Sequence, residues 1–221
     1  MLKKHWIFLG VFLLASVAFA EGKSAKSVDV LGGFALNKGG SSLRAGIGNP
    51  GLETMFLYGV ASKFNIGGLL ALNWGEGVDF AVRFQAPLRF AFYDSGKLGI
   101  AAGFTPGIAI LAGPGTAVTI PLHFDLTTGF RVTNELSLSA GFEIPLEIWT
   151  KGSFGVIIPL AAAIGAEYHV ASSLKIWSRI RSGYAFTAGG GESKHSGDYH
   201  GGGISGVFGA TSCHVGVALA F

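Results

Sequence analysis

The final stretch of the chain, Ile204 to Phe221, constrains the fold more than any other. Read back from the carboxyl end, Phe221, Leu219, Val217, Val215 and Cys213 fall on one parity, and Ala220, Ala218, Gly216, His214 and Ser212 on the other. One set is apolar and the other small or polar, as in a β-strand whose two faces meet different surroundings. Val78 to Phe92 repeats the pattern: Val78, Phe80, Val82, Phe84, Ala86, Leu88, Phe90 and Phe92 alternate with a set that includes Asp79, Arg83, Gln85 and Arg89. Composition narrows the choice further. The chain is 49% hydrophobic and 13% charged, too greasy for an ordinary surface, yet beyond its amino terminus it has no apolar run long enough for a membrane helix. A closed antiparallel barrel resolves the conflict, because alternate residues meet lipid while every backbone group pairs within the ring.

The amino terminus has the three-part form of a secretory signal. Lys3 and Lys4 precede an uncharged run from Trp6 to Val17, and Ala18-Phe19-Ala20 supplies an A-x-A cleavage site. Residues 1–20 are therefore expected to be a signal peptide and residues 21–221 a barrel domain. Cleavage removes two lysines, leaving 14 Lys+Arg against 13 Asp+Glu and a net charge of +1. A nucleic-acid footprint has no support in so balanced and unclustered a set. The single cysteine, Cys213, excludes an internal disulfide and reads as a small outward-facing hydrophobe.

A terminal Phe behind apolar residues at every second position resembles the assembly signal of small Gram-negative outer-membrane β-barrel proteins. Val215, Val217, Leu219 and Phe221 carry that signature. The resemblance implies an outer-membrane location, with membrane lipid and the barrel assembly machinery as partners. The predicted strands are Ser41 to Gly48, Glu53 to Ala61, Phe64 to Trp74, Val78 to Phe92, Leu98 to Leu111, Ala117 to Arg131, Leu136 to Trp149, Phe154 to Tyr168, Leu174 to Thr187 and Ile204 to Phe221. That makes about ten strands in an all-β, transmembrane, up-and-down barrel, with eight or twelve as alternatives. A second partition also gives ten, with Val28 to Leu36 as the first strand and Glu53 to Trp74 as one long one. With both termini in the periplasm, the longest connection, Thr187 to Gly203, falls outside the cell. Trp74 and Trp149 are expected in an outer aromatic girdle, and Phe92, Tyr93 and Tyr168 in an inner one.

The inward parity collects Arg83, Arg89, His123, Asp125, Glu143, Glu147, Glu167, Lys175, Arg179, Arg181 and His214. Inward residues of Leu98 to Leu111 and Phe154 to Tyr168 are mostly Gly, Ala or Thr. Long side chains can lie over such strands, so ion pairs are expected between Arg89 and Asp125 and between Arg181 and Glu143, narrowing the lumen. Four related elements, APLRF, IPLHF, IPLEI and IPLAA, place Pro87, Pro121, Pro145 and Pro159 within strands, where each should sit at a bulge or an open ladder bond.

Chemistry is sparse. His123 and Asp125 with Ser137 or Ser139 are the best catalytic set that can be assembled, but His-x-Asp arises easily on one strand face. Glu192, His195, Asp198 and His200 crowd the long loop, where the surrounding Gly and Ser read as a solvated segment rather than a metal site. The expectation is a narrow pore or structural membrane protein, not an enzyme, with no cofactor and no metal. A lipid-modifying enzyme and a loop-based adhesin are the alternatives. No oligomeric state, open or filled lumen, or transported substrate follows from the residues.

Overall fold

The computed structural model describes residues 31–75, 78–112, 116–149, 155–189 and 208–221. The signal segment, Val28 to Val30 and the long-loop cluster Glu192, His195, Asp198 and His200 lie outside those residues. The strands are β1 (Ser41–Asn49), β2 (Gly51–Ala61), β3 (Phe64–Gly75), β4 (Val78–Gln85), β5 (Leu88–Asp94), β6 (Leu98–Ala112), β7 (Ala117–Arg131), β8 (Leu136–Trp149), β9 (Gly155–His169), β10 (Leu174–Gly189) and β11 (Phe208–Ala220).

All pairings are antiparallel, and β1 meets β11 through Ser42↔Ala220 to Asn49↔Cys213, so the sheet closes into a barrel. β4 and β5 share the same two neighbours, β3 and β6, and are halves of one stave, giving ten staves in all. The interruption falls at Ala86 and Pro87. Proline brings no N–H to the ladder, and the Gln85 side-chain amide donates to the Thr105 carbonyl at 3.3 Å beside the gap. Pro121, Pro145 and Pro159 interrupt no strand; the ladders skip a few residues beside Pro121 and Pro145 and resume in the same register. The prolines therefore leave the ladder open over two or three residues without shifting its register.

Period-2 alternation sets which residues meet the bilayer. Phe84, Phe124, Leu126, Phe142, Ile164, Ile180 and Val215 are exposed on the outside. The free energy of leaving so continuous an apolar surface in water is large, and a hydrocarbon bilayer removes it. Cys213 is also exposed, whereas Leu219, on the same parity, is covered. At the tight-turn end a register shift between Ala91 and Tyr93 turns the consecutive aromatics Phe92 and Tyr93 both outward, as a β-bulge does. Tyr168 and Trp74 are exposed as well. Trp149 departs from the girdle expectation: it packs against buried Ala81, Leu111 and Ala117 inside the barrel. It shares the inward parity of Glu147, and that parity overrides its place at a strand end.

Tight turns join β2 to β3, β5 to β6, β7 to β8 and β9 to β10 at one end, where the Ser41 and Phe221 backbones also exchange hydrogen bonds of 2.8 and 3.0 Å. The other end carries the connection from Gly189 to Phe208. Residues 31–40 form no strand, so the partition that began with Val28 to Leu36 does not hold. They run across the inside of the tight-turn end instead.

Candidate functional site

The inside of the barrel holds two structures built from inward-facing residues: a strap across the tight-turn end and a set of ion pairs through the middle. In the strap, Leu31, Phe34 and Leu36 are each 3% exposed or less. Leu31 packs on Trp177 and Ala218, and Leu36 on Met55, Leu57 and Leu69. Phe34 lies against Gly99 and Gly129, where a β-carbon would come within 2.6 and 2.7 Å of its ring, and the Arg131 guanidinium sits 4.0 Å from the ring centroid. These two glycines make the seat into which the ring fits. Gly33 needs its own permissive backbone, with φ of 87° and the Gly129 backbone directly against it.

Polar anchors hold both ends of the strap. The Leu31 amide donates to Glu167 Oε1 at 2.5 Å, and Lys175 Nζ donates to the other oxygen at 3.2 Å. The Leu36 amide donates to Asn65 Oδ1 at 3.1 Å, and Asn65 Nδ2 donates back to the Leu36 carbonyl at 3.5 Å. Glu167, Lys175 and Asn65 are all buried, so each anchor is a polar group whose desolvation is offset by its partner.

Above the strap, Glu143 is the centre of the ion pairs. Its side chain is 1% exposed and meets two guanidiniums, Arg179 and Arg181, the latter at 3.5 Å, and the His123 imidazole at 3.4 Å. Arg181 and Glu143 stand on either side of β9, where Ala161 and Ala163 occupy the intervening positions. Small residues there are what let the two side chains meet. Asp125 pairs across from Glu143 and accepts a 3.1 Å hydrogen bond from the Thr127 hydroxyl. It lies over Gly103, whose absent β-carbon would fall 2.0 Å from the carboxylate. Arg89 stands in register on the far side of that same glycine.

A second crossing lies toward the loop end. Both terminal nitrogens of Arg83 donate to Glu147 Oε2 at 3.0 Å, and the Thr119 hydroxyl donates to Oε1 at 2.5 Å. This pair spans two intervening staves, β6 and β7, and was not expected from the sequence. Arg44 and Glu53, paired at 3.2 Å, were also missed, as was Trp177, the largest fully buried side chain among the described residues, with Arg44 5.4 Å from its ring centroid. Their signal lay in parity: Trp177 falls between Lys175 and Arg179 on the inward set. The weak alternation of β1 and β2 hid the other two.

The serines do not join His123. Asp125 faces Glu143 across the ladder, and Ser139 is four residues further along that strand, roughly 13 Å away. His123 contacts Glu143 instead, so the His-Asp-Ser set is not assembled. Among the described residues no group of three His, Cys, Asp or Glu side chains is placed to hold a metal ion. Val215 is exposed, Val217 partly covered, and Phe221 exposed at the tight-turn rim.

No protein-family model matches the sequence, and no curated protein matches it. Solved structures similar to it include an outer membrane protease, a channel and a porin. The outer membrane protease OmpT from Escherichia coli is 10% identical with a TM-score of 0.44, covering 82% of this chain and 93% of its own. The CymD monoaromatic hydrocarbon channel is 8% identical with a TM-score of 0.39, covering 84% and 87%. A mutant Rh. blastica porin is 8% identical with a TM-score of 0.22, covering 83% and 98%. The sequence expectation that the chain is not an enzyme is corrected by the first of these, since a protease stands among the similar structures. A likeness of this degree assigns no catalytic residue here.

Proposed function

We propose that the chain is an outer-membrane barrel acting as a narrow pore, held closed at its tight-turn end by residues 31–37, with that end in the periplasm. The observation that carries this reading is how the strap is held. It crosses the lumen outside the ladder, anchored through Glu167 and Asn65 and seated by one aromatic ring on two glycines. A segment attached in this way leaves the barrel intact when it moves, unlike a strand, whose removal would break the ring. The polar inside above it, with charged groups at successive inward positions, is a surface that water and ions can wet once the strap withdraws.

Full-length protein in planar bilayers tests the proposal, compared with Gly129→Leu, which fills the seat of Phe34. The parent should show rare, small openings, and Gly129→Leu sustained conductance at least tenfold higher, together with new protease cleavage near residue 34. Parent and variant equally silent, with the variant shown folded by heat-modifiable gel mobility, would refute the pore.

A further inference from the structure

The paired charges in the middle of the lumen differ in exposure. Glu143 is 1% exposed, whereas its partners Arg179, Arg181 and His123 are 21%, 28% and 22% exposed. Toward the loop end the same asymmetry holds, with Glu147 at 14% and Arg83 at 22%. Geometry explains it. A short carboxylate sits down against the wall, over the alanines of β9 or beside Thr119, and the longer guanidinium reaches over it and turns its outer side to the lumen. Asp125 is likewise drawn to the wall, over Gly103 and held by Thr127. Arg44 and Glu53 run the other way, at 5% and 19%, because Arg44 is stacked on Trp177.

We infer that the passage selects small anions, with Arg181, Arg179 and Arg83 forming a cationic face along it and the buried Glu143 and half-buried Glu147 acting as less exposed counter-charges. A guanidinium bonded to a carboxylate on one side still turns the positive end of the pair and N–H donors to the other, and rings of such groups select anions in pores. The ligand class is a small inorganic anion or a short carboxylate, bound weakly enough to leave. This inference rests on the pore reading, and its test separates the two.

The experiment measures reversal potential in planar bilayers under a tenfold potassium chloride gradient, using the full-length Gly129→Leu variant. Chloride should permeate at least threefold better than potassium. Arg181→Gln, in that background, leaves Arg179 on Glu143 and should bring the ratio to within about 1.5-fold of unity. Arg181→Lys should restore it, which a purely structural loss would not do. Inorganic phosphate at millimolar concentration should reduce chloride current in the arginine form and not in the glutamine form. Current with potassium preference, or a ratio that ignores Arg181→Gln, overturns anion selectivity while leaving a pore. Absence of current in every folded variant rejects the pore and the selectivity with it.

Discussion

Glu143→Gln is the sharpest test of the lumen's charge design, because it changes one carboxylate oxygen to an amide and nothing in volume. In the parent, one buried carboxylate serves Arg179, Arg181 and His123, all contacting its two oxygens. Arg181 also donates a hydrogen bond to it, and a hydrogen bond to a charged group contributes about 1.5 to 3 kcal/mol. An amide keeps one acceptor oxygen but not the charge, so two guanidiniums are left crowded with less compensation. Asp125 stands directly across from Glu143, and removing one of two facing carboxylates returns roughly 1 kcal/mol of relieved repulsion. The net cost should be about 3 to 5 kcal/mol, the range for breaking a buried ion pair by removing one partner. Urea unfolding of the barrel in lipid vesicles, followed by tryptophan fluorescence and heat-modifiable mobility, measures it. Removing Arg181 as well should recover part of the loss, since it takes away one of the stranded cations. A single variant within about 1 kcal/mol of the parent would refute the view that Glu143 is the counter-charge of this cluster.

Two further outcomes are expected. Phe84→Arg, on the exposed lipid face, should cost about 2 to 4 kcal/mol in the same unfolding assay, whereas Gln85→Arg loses one hydrogen bond and should cost about 1 kcal/mol; equal costs would mean that the inward and outward phases are misassigned. Phe221→Asp should lower the membrane yield of assembled barrel in cells while leaving refolding in detergent intact, and a normal yield would remove the terminal aromatic from any role in assembly.

Strand phase was legible in the sequence because it depends on neighbours two residues apart. Alternation from Val78 to Phe92 sends Phe84 outward and Gln85 inward without reference to anything distant. The limits of β7 and β8 follow from the same local pattern, bounded by turn residues. One cross-lumen contact could be read as well: Arg181 and Glu143 share the inward parity and a single small stave lies between them, so pairing order was enough to bring them together. Misplacing Trp149 came from weighing strand end over parity.

What only the tertiary structure decided depends on closure and stagger. Arg83 meets Glu147 across two staves because the curved wall brings their tips together over Thr119, and no sequence period encodes that chord. The strap is the larger case. Leu31 to Leu36 carries no alternation, only the Gly32-Gly33 pair that marks a bend, and its contacts lie on Glu167, Gly129, Gly99 and Asn65, far apart along the chain. Those residues become one binding surface only when the ring is closed. The apolar strap then buries itself in the lumen, since inside that ring is where Leu31, Phe34 and Leu36 find surfaces shaped to exclude water.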